Sequence, residues 1–172
     1  MELKAHESLL FMAILERLLD QVPEIRYIEQ DLGQLENYEM RPAVSWPCTL
    51  IDIDDLDFSE TGGKLVQLAQ GFVQIRLGLV KYTDSNNLVP ANIRANSLQY
   101  LELENKVYKA LHGWGPEGFN KMLRRKSVTE KRDDDIRVKI LRFSIGYKDE
   151  GAVPARLKVS RPGVTIGTGL TS

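Results

Sequence analysis

A chain of 172 residues with 42% hydrophobic and 27% charged residues has the composition of one soluble globular domain that buries its core without disulfides or a structural metal. Lys and Arg number 23 against 24 Asp and Glu, a net charge of -1, which excludes a global field drawing the chain onto nucleic acid or an anionic membrane and leaves charge recognition to local patches. The single cysteine, Cys48, excludes an internal disulfide framework and points to a reducing compartment; residues 9–15, the longest apolar stretch, fall far short of the ~20 a bilayer span needs, and the opening Met-Glu-Leu-Lys lacks a signal-peptide pattern.

In chain order, Leu10, Ala13, Ile14, Leu18 and Val22 fall at helical spacing over residues 4–22, and Pro23 ends the run. Residues 25–28, β-branched and aromatic, predict a strand, and a turn-rich stretch with Gly33, Asn37 and Pro42 follows it. Residues 43–53 predict a second strand, with Pro47 at an edge or bulge because it cannot donate to a ladder. Residues 52–63, dominated by acids, predict a surface loop. Residues 66–82 carry the clearest alternation, with Val73, Ile75, Leu77 and Leu79 on one face, Gln74, Arg76 and Gly78 on the other, and Gly71 as a candidate bulge.

After a polar loop at 84–87, Asn96 or Ser97 is positioned to cap a second helix whose Leu103, Val107, Ala110 and Leu111 make one apolar face and which Gly113 closes. A further strand is expected near Phe119, and residues 136–147 alternate strongly with a change of phase between Ile140 and Leu141. Together these predict an α+β fold, a single antiparallel sheet with two helices packed on it, in a domain of residues 1–150. Residues 151–172 hold four Gly, two Pro and three basic residues without an acid, too little apolar content for a core of their own, and read as an extended C-terminal arm with Val153, Leu157, Val159, Val164 and Ile166 as anchors against a neighbouring protein.

The motifs that suggest chemistry fail on context. The Gly113, Gly115, Gly118 spacing spells G-x-G-x-x-G, but it follows a helix and carries Pro116, so it reads as a turn, with Trp114 as a lid on the sheet's end. The acidic segment places Leu56, Asp57 and Gly63 where a calcium-binding loop needs a ligand, a glycine and a glutamate. His6, His112 and Cys48 are too scattered for a zinc site or a recognisable nucleophile and base. No catalytic residue, cofactor or metal is therefore assigned. Two charged segments remain as candidate assembly surfaces: Asp52, Asp54, Asp55, Asp57 and Glu60 on one side, and Arg124, Arg125, Lys126, Lys131 and Arg132 on the other, with Lys121 beside them. A basic patch on one copy meeting an acidic patch on the next favours a directional, head-to-tail contact.

The order helix, strand, strand, long strand, helix, strand, strand resembles the tail-terminator and tail-completion proteins of long-tailed phages. The texture of residues 101–113, LELENKVYKALHG, then Phe119 and Met122-Leu-Arg124, an acidic turn at Asp133, Asp134 and Asp135, and residues 138–145, VKILRFSI, is similar to that family's helix-Gly, strand, Asp turn and strand ending, and residues 14–19, ILERLL, fit its opening helix. The resemblance covers residues 5–148; the acidic segment and the C-terminal arm depart from its pattern. It implies a non-enzymatic structural subunit of the virion tail and neck, assembled in the host cytoplasm: a homo-oligomeric ring, a hexamer, that terminates the tail tube protein, receives the head-connector protein, and passes DNA through its lumen without sequence-specific binding. The alternatives are a head–tail connector or other neck ring protein, on a similar core, and a small enzyme of unfamiliar type.

Overall fold

Leu10, Ile14 and Leu18 share one stripe of the first helix, α1 (His6–Gln21), and all three are fully buried. The structure, a computed structural model, describes residues 4–36, 44–62, 65–80, 85–132 and 134–153. Four antiparallel or parallel pairings join β1 (Tyr27–Gln30), β2 (Cys48–Glu60), β3 (Gln67–Val80), β4 (Leu123–Thr129) and β5 (Ile136–Asp149) into one sheet of order β1-β2-β3-β5-β4. A short helix, α2 (Ala91–Ser97), leads through Leu98 directly into α3 (Gln99–Leu111), so neither Asn96 nor Ser97 caps α3; Leu98 stands at that position without a side-chain cap.

The α+β class and the single sheet agree with the sequence reading, and α1 and α3 are the two helices that pack on it. The sheet is mixed, not wholly antiparallel, because β1 runs parallel to β2, with Tyr27 opposite Cys48 and Gln30 opposite Ile51. Such a pair needs a crossover, and residues 31–47 are long enough to make one.

Apolar clusters lie on both faces of the sheet, a large one under the helices and a small one on the other face, which explains the patterns of the long strands. On the helix face, Ile51, Val73, Ile75, Leu77, Leu141 and Phe143 pack with Leu10, Ile14, Leu103, Val107 and Leu111. On the other face Leu35, Cys48, Leu50 and Val138 form a second, smaller cluster with Trp46, Ile136 and Ile140 around it. The phase change in β5 is therefore a change of buried face: its pairing with β3 runs unbroken through Ile140 opposite Arg76 and Leu141 opposite Ile75. Gly113 has φ +76 after α3, and Gly118 has φ +84, so the glycine run is a turn. Trp114 packs against the main core there, with the Arg17 guanidinium 5.5 Å from its ring.

The predicted acidic surface loop at 52–63 is overturned through residue 60. β2 continues to Glu60, paired to β3 from Asp52 opposite Gln74 to Glu60 opposite Gln67. The irregularity belongs to β2 and not to Gly71: between Asp54 and Asp57 the strand carries an extra residue, with Asp55 at φ +50. Gly71 is instead the residue this bulge presses against, since a Cβ there would stand 2.2 Å from the Asp55 carbonyl oxygen. Met122 is fully buried and leads into β4, and Pro47 precedes β2, its carbonyl accepting the Arg26 N–H at 2.8 Å.

Candidate functional site

The sheet ends in two open strand edges of opposite charge. On one side β1 covers only Cys48, Thr49, Leu50 and Ile51, and the Asp31 N–H extends the pairing with a 2.9 Å bond to the Ile51 carbonyl. Beyond that point the outer edge of β2 has no strand beside it among the described residues. On the other side β4 pairs with β5 alone, and its residues are exposed from Leu123 through Val128. An exposed strand edge presents unpaired N–H and C=O groups and is a template for a further strand.

The bulge keeps the acids of β2 on one face. Asp52 and Asp54 oppose Gln74 and Phe72, and after the extra residue Asp57 opposes Gln70; these β3 residues in turn oppose Arg142, Ser144 and Gly146 of β5. Directly opposed residues share a face, so Asp52, Asp54 and Asp57 line the side away from the helices. Arg142 on that face donates to Asp54 at 3.1 Å and Asp55 at 2.6 Å, and its guanidinium lies 4.5 Å from the Phe72 ring. Asp52 is half-buried, and burial, then the neighbouring Asp54 and Asp31 carboxylates, push its carboxyl above the usual range. Asp57 and Glu60 are exposed and make no ion pair among the described residues.

The basic candidates divide as well. The Arg124 guanidinium lies over the Tyr108 ring of α3, 3.7 Å from its centre, while the Arg124 N–H donates to His112 Nδ1 at 3.1 Å. Arg125 is the extra residue of a second bulge, between Arg124 and Lys126, and its Nε donates to the Ser144 hydroxyl at 3.1 Å. Lys126 and Lys131 are exposed, without an ion-pair partner among the described residues. Arg132 is committed to its own chain: it bonds the Leu35 carbonyl at 2.8 Å, chelates Asp134 and reaches Glu130. Of the arm anchors, Val153 is exposed, and Leu157, Val159, Val164 and Ile166 lie outside the described residues.

Arg76 is the polar residue that sequence reasoning placed on the outer face of β3 without assigning it partners. Its side chain is 7% exposed and bonds Asp31 at 3.0 Å, Glu130 at 2.9 Å and Glu36. Burial works to lower its pKa, and the hydrogen bonds to Glu36 and Asp31 outweigh that, so the guanidinium is held charged. Burial likewise acts to raise the Glu36 carboxyl, but the Arg76 hydrogen bond prevails and holds it below the usual carboxylate range. The cluster ties the segment after β1 and the end of β4 onto the sheet, over the second core. An arginine between Ile75 and Leu77, the one charged residue of β3, is the signal that marks it.

Cys48 is fully buried, and burial pushes its thiol up to about 12, which suits a packing residue better than a nucleophile. His6 stacks on Tyr147 with ring centres 4.6 Å apart and stands 3.8 Å from Asp149. Among the described residues no group of three or more His, Cys, Asp and Glu is arranged to hold a metal ion, and no helix is long and apolar enough to cross a membrane.

Neither a protein-family model nor a curated protein matches the sequence. Among solved structures, a chain of the virion of a native gene transfer agent (GTA) particle is similar over 81% of this chain and 95% of its own length, at 13% identity and a TM-score of 0.47, a likeness too distant to carry an argument.

Proposed function

We propose that this chain is a structural subunit that assembles head to tail with copies of itself into a ring, the role implied by its resemblance to phage tail-terminator proteins. In that role the ring sits at the head-proximal end of a tail, stops the tail tube and offers its other surface to the head connector, with DNA passing through the lumen. The observation that carries the assembly reading is the pair of open strand edges, acidic on β2 and basic on β4, at opposite sides of one sheet. Unlike surfaces that complement each other make a heterologous contact, and such contacts close into rings when the rotation between copies allows it. The element order α1, β1, β2, β3, α2, α3, β4, β5 is, apart from the short α2, the order on which the resemblance rests, and it supports the tail-terminator role over an unrelated assembly. Residues 151–172, of which Val153 is exposed, are read as an arm laid on a neighbouring protein.

Electron microscopy of the purified protein tests this. Closed rings with an open lumen are the expected result. Monomers at every concentration, or two-fold dimers without a lumen, would contradict it.

A further inference from the structure

The two edges differ in charge, and they also match in direction, face and hydrogen-bonding capacity. Going across the sheet, β2 and β3 are antiparallel, β3 and β5 are antiparallel, and β5 and β4 are antiparallel, so β4 runs opposite to β2. If a second copy is set beside β4 without being turned over, it presents its short β1 and, beyond the residues that β1 covers, its own β2, both lying antiparallel to β4, with the helices of both copies on the same side of the sheet. A two-fold dimer through either edge would instead put like charges together, Asp57 against Asp57 or Lys126 against Lys126.

The charged side chains fall on the correct face for such a junction. On β4, Lys126 opposes Arg142 and Val128 opposes Ile140, which places both on the side away from the helices, and Arg125 reaches the same side to bond Ser144. On β2 the bulge brings Asp57 to that side too. The side chains not engaged within the chain, Lys126 on one edge and Asp57 on the other, are thus the ones that would meet. Phe58 and Val128, 46% and 37% exposed, add apolar surface along the two edges.

We propose that β4 of one copy pairs antiparallel with the outer edge of β2, residues 53–60, in the next copy, so that a single sheet runs continuously from subunit to subunit around the assembly. This rests on the self-assembly reading above and adds its bonding: main-chain hydrogen bonds join the copies, and the charges select the register and the partner edge. The open part of β2 begins where β1 stops, whereas β4 lies level with Thr49 to Asp54 of β2, of which β1 covers Thr49 to Ile51. Each successive copy is therefore displaced along the strands by about four to five residues, roughly 15 Å at 3.3 Å per residue, and the strands of a closed ring are tilted, as in a barrel with shear.

Disulfide trapping tests the pairing. Each of Asp57→Cys, Phe58→Cys and Ser59→Cys, in a size-tagged chain, is mixed with each of Lys126→Cys, Ser127→Cys and Val128→Cys in an untagged chain and oxidised mildly. Cys48 stays in place because its buried thiol does not compete. The expected result is a mixed-size cross-linked band in at least one pairing, absent from either variant alone, with both substitutions in one chain giving a ladder. Homodimer bands from single variants, or no mixed band in any pairing while wild-type protein sediments as an oligomer, overturn the edge pairing and leave the ring reading standing. Wild-type protein that stays monomeric by sedimentation overturns both.

Discussion

Replacing Arg76 by Met removes the charge that three carboxylates share while keeping most of the apolar stem. Arg76 and Asp31 have side chains 7% and 9% exposed, so Asp31 is left buried with an uncompensated charge; Glu130 and Glu36, 25% and 46% exposed, are largely rescued by water. Removing one partner of a buried ion pair costs about 3–5 kcal/mol, and the exposure of two of the three acids puts this case near about 3. For a domain of this size each kcal/mol moves Tm by ~2–4 °C, so the variant should melt about 6–12 °C lower. Adding Asp31→Asn should recover about half of the loss, since it removes the stranded charge instead of a good contact. Thermal unfolding followed by circular dichroism, for wild type, Arg76→Met and the double variant, checks all three values. A fall in Tm of under ~2 °C in Arg76→Met, or a further fall in the double variant, would show that the cluster behaves like a surface ion pair and that the reasoning is wrong.

Val107 is fully buried between α3 and the sheet, and Val107→Asp should abolish folding by burying an unpaired charge; a soluble variant with unchanged Tm would sink the assigned packing of α3. Gly71→Ala should cost about 1–3 kcal/mol, because its Cβ meets the backbone carbonyl of Asp55 at the bulge, and an unchanged denaturation midpoint would contradict the bulge geometry. Glu36, whose carboxyl Arg76 holds low against burial, and Asp134, held low by its hydrogen bonds from Arg132, contribute stability that is present above their unfolded pKa and lost as pH falls through the folded one. Tm should accordingly decline on acidification, and Glu36→Gln should lower the neutral plateau and flatten that decline; a parallel shift of the whole profile would refute the linkage. Charge reversal at Asp57 and Glu60 should weaken assembly by sedimentation without lowering Tm, whereas reversal at Asp54 and Asp55 should also disturb the Arg142 contacts within the chain.

The parts of the fold legible in the sequence are those whose patterns are set locally. Leu10, Ile14 and Leu18, the Leu103 to Leu111 face, and the alternation of Val73, Ile75 and Leu77 each need one period on one buried surface. The far half of β2 escaped because its bulge shifts the strand's phase in mid-course, so Ile53, Leu56 and Phe58 do not alternate and the intervening acids dominate the reading. The parallel placement of β1 depends on which strand it returns to after a long connection, and no residue in 27–30 encodes that choice. The charged candidates were visible as composition, but their division into engaged and available groups was not. Arg132 and Arg142 are occupied by Asp134, Asp54 and Asp55, and Arg76 draws its partners from positions 31, 36 and 130, which only the folded sheet brings together.

Native mass spectrometry of the full chain across a range of ionic strengths tests head-to-tail self-assembly most directly. A heterologous seam built on opposite charges predicts one discrete closed oligomer at low salt that dissociates toward monomer as salt rises, because exposed charge pairs are screened. A monomer at every protein and salt concentration, or a symmetric dimer that salt leaves intact, would contradict it.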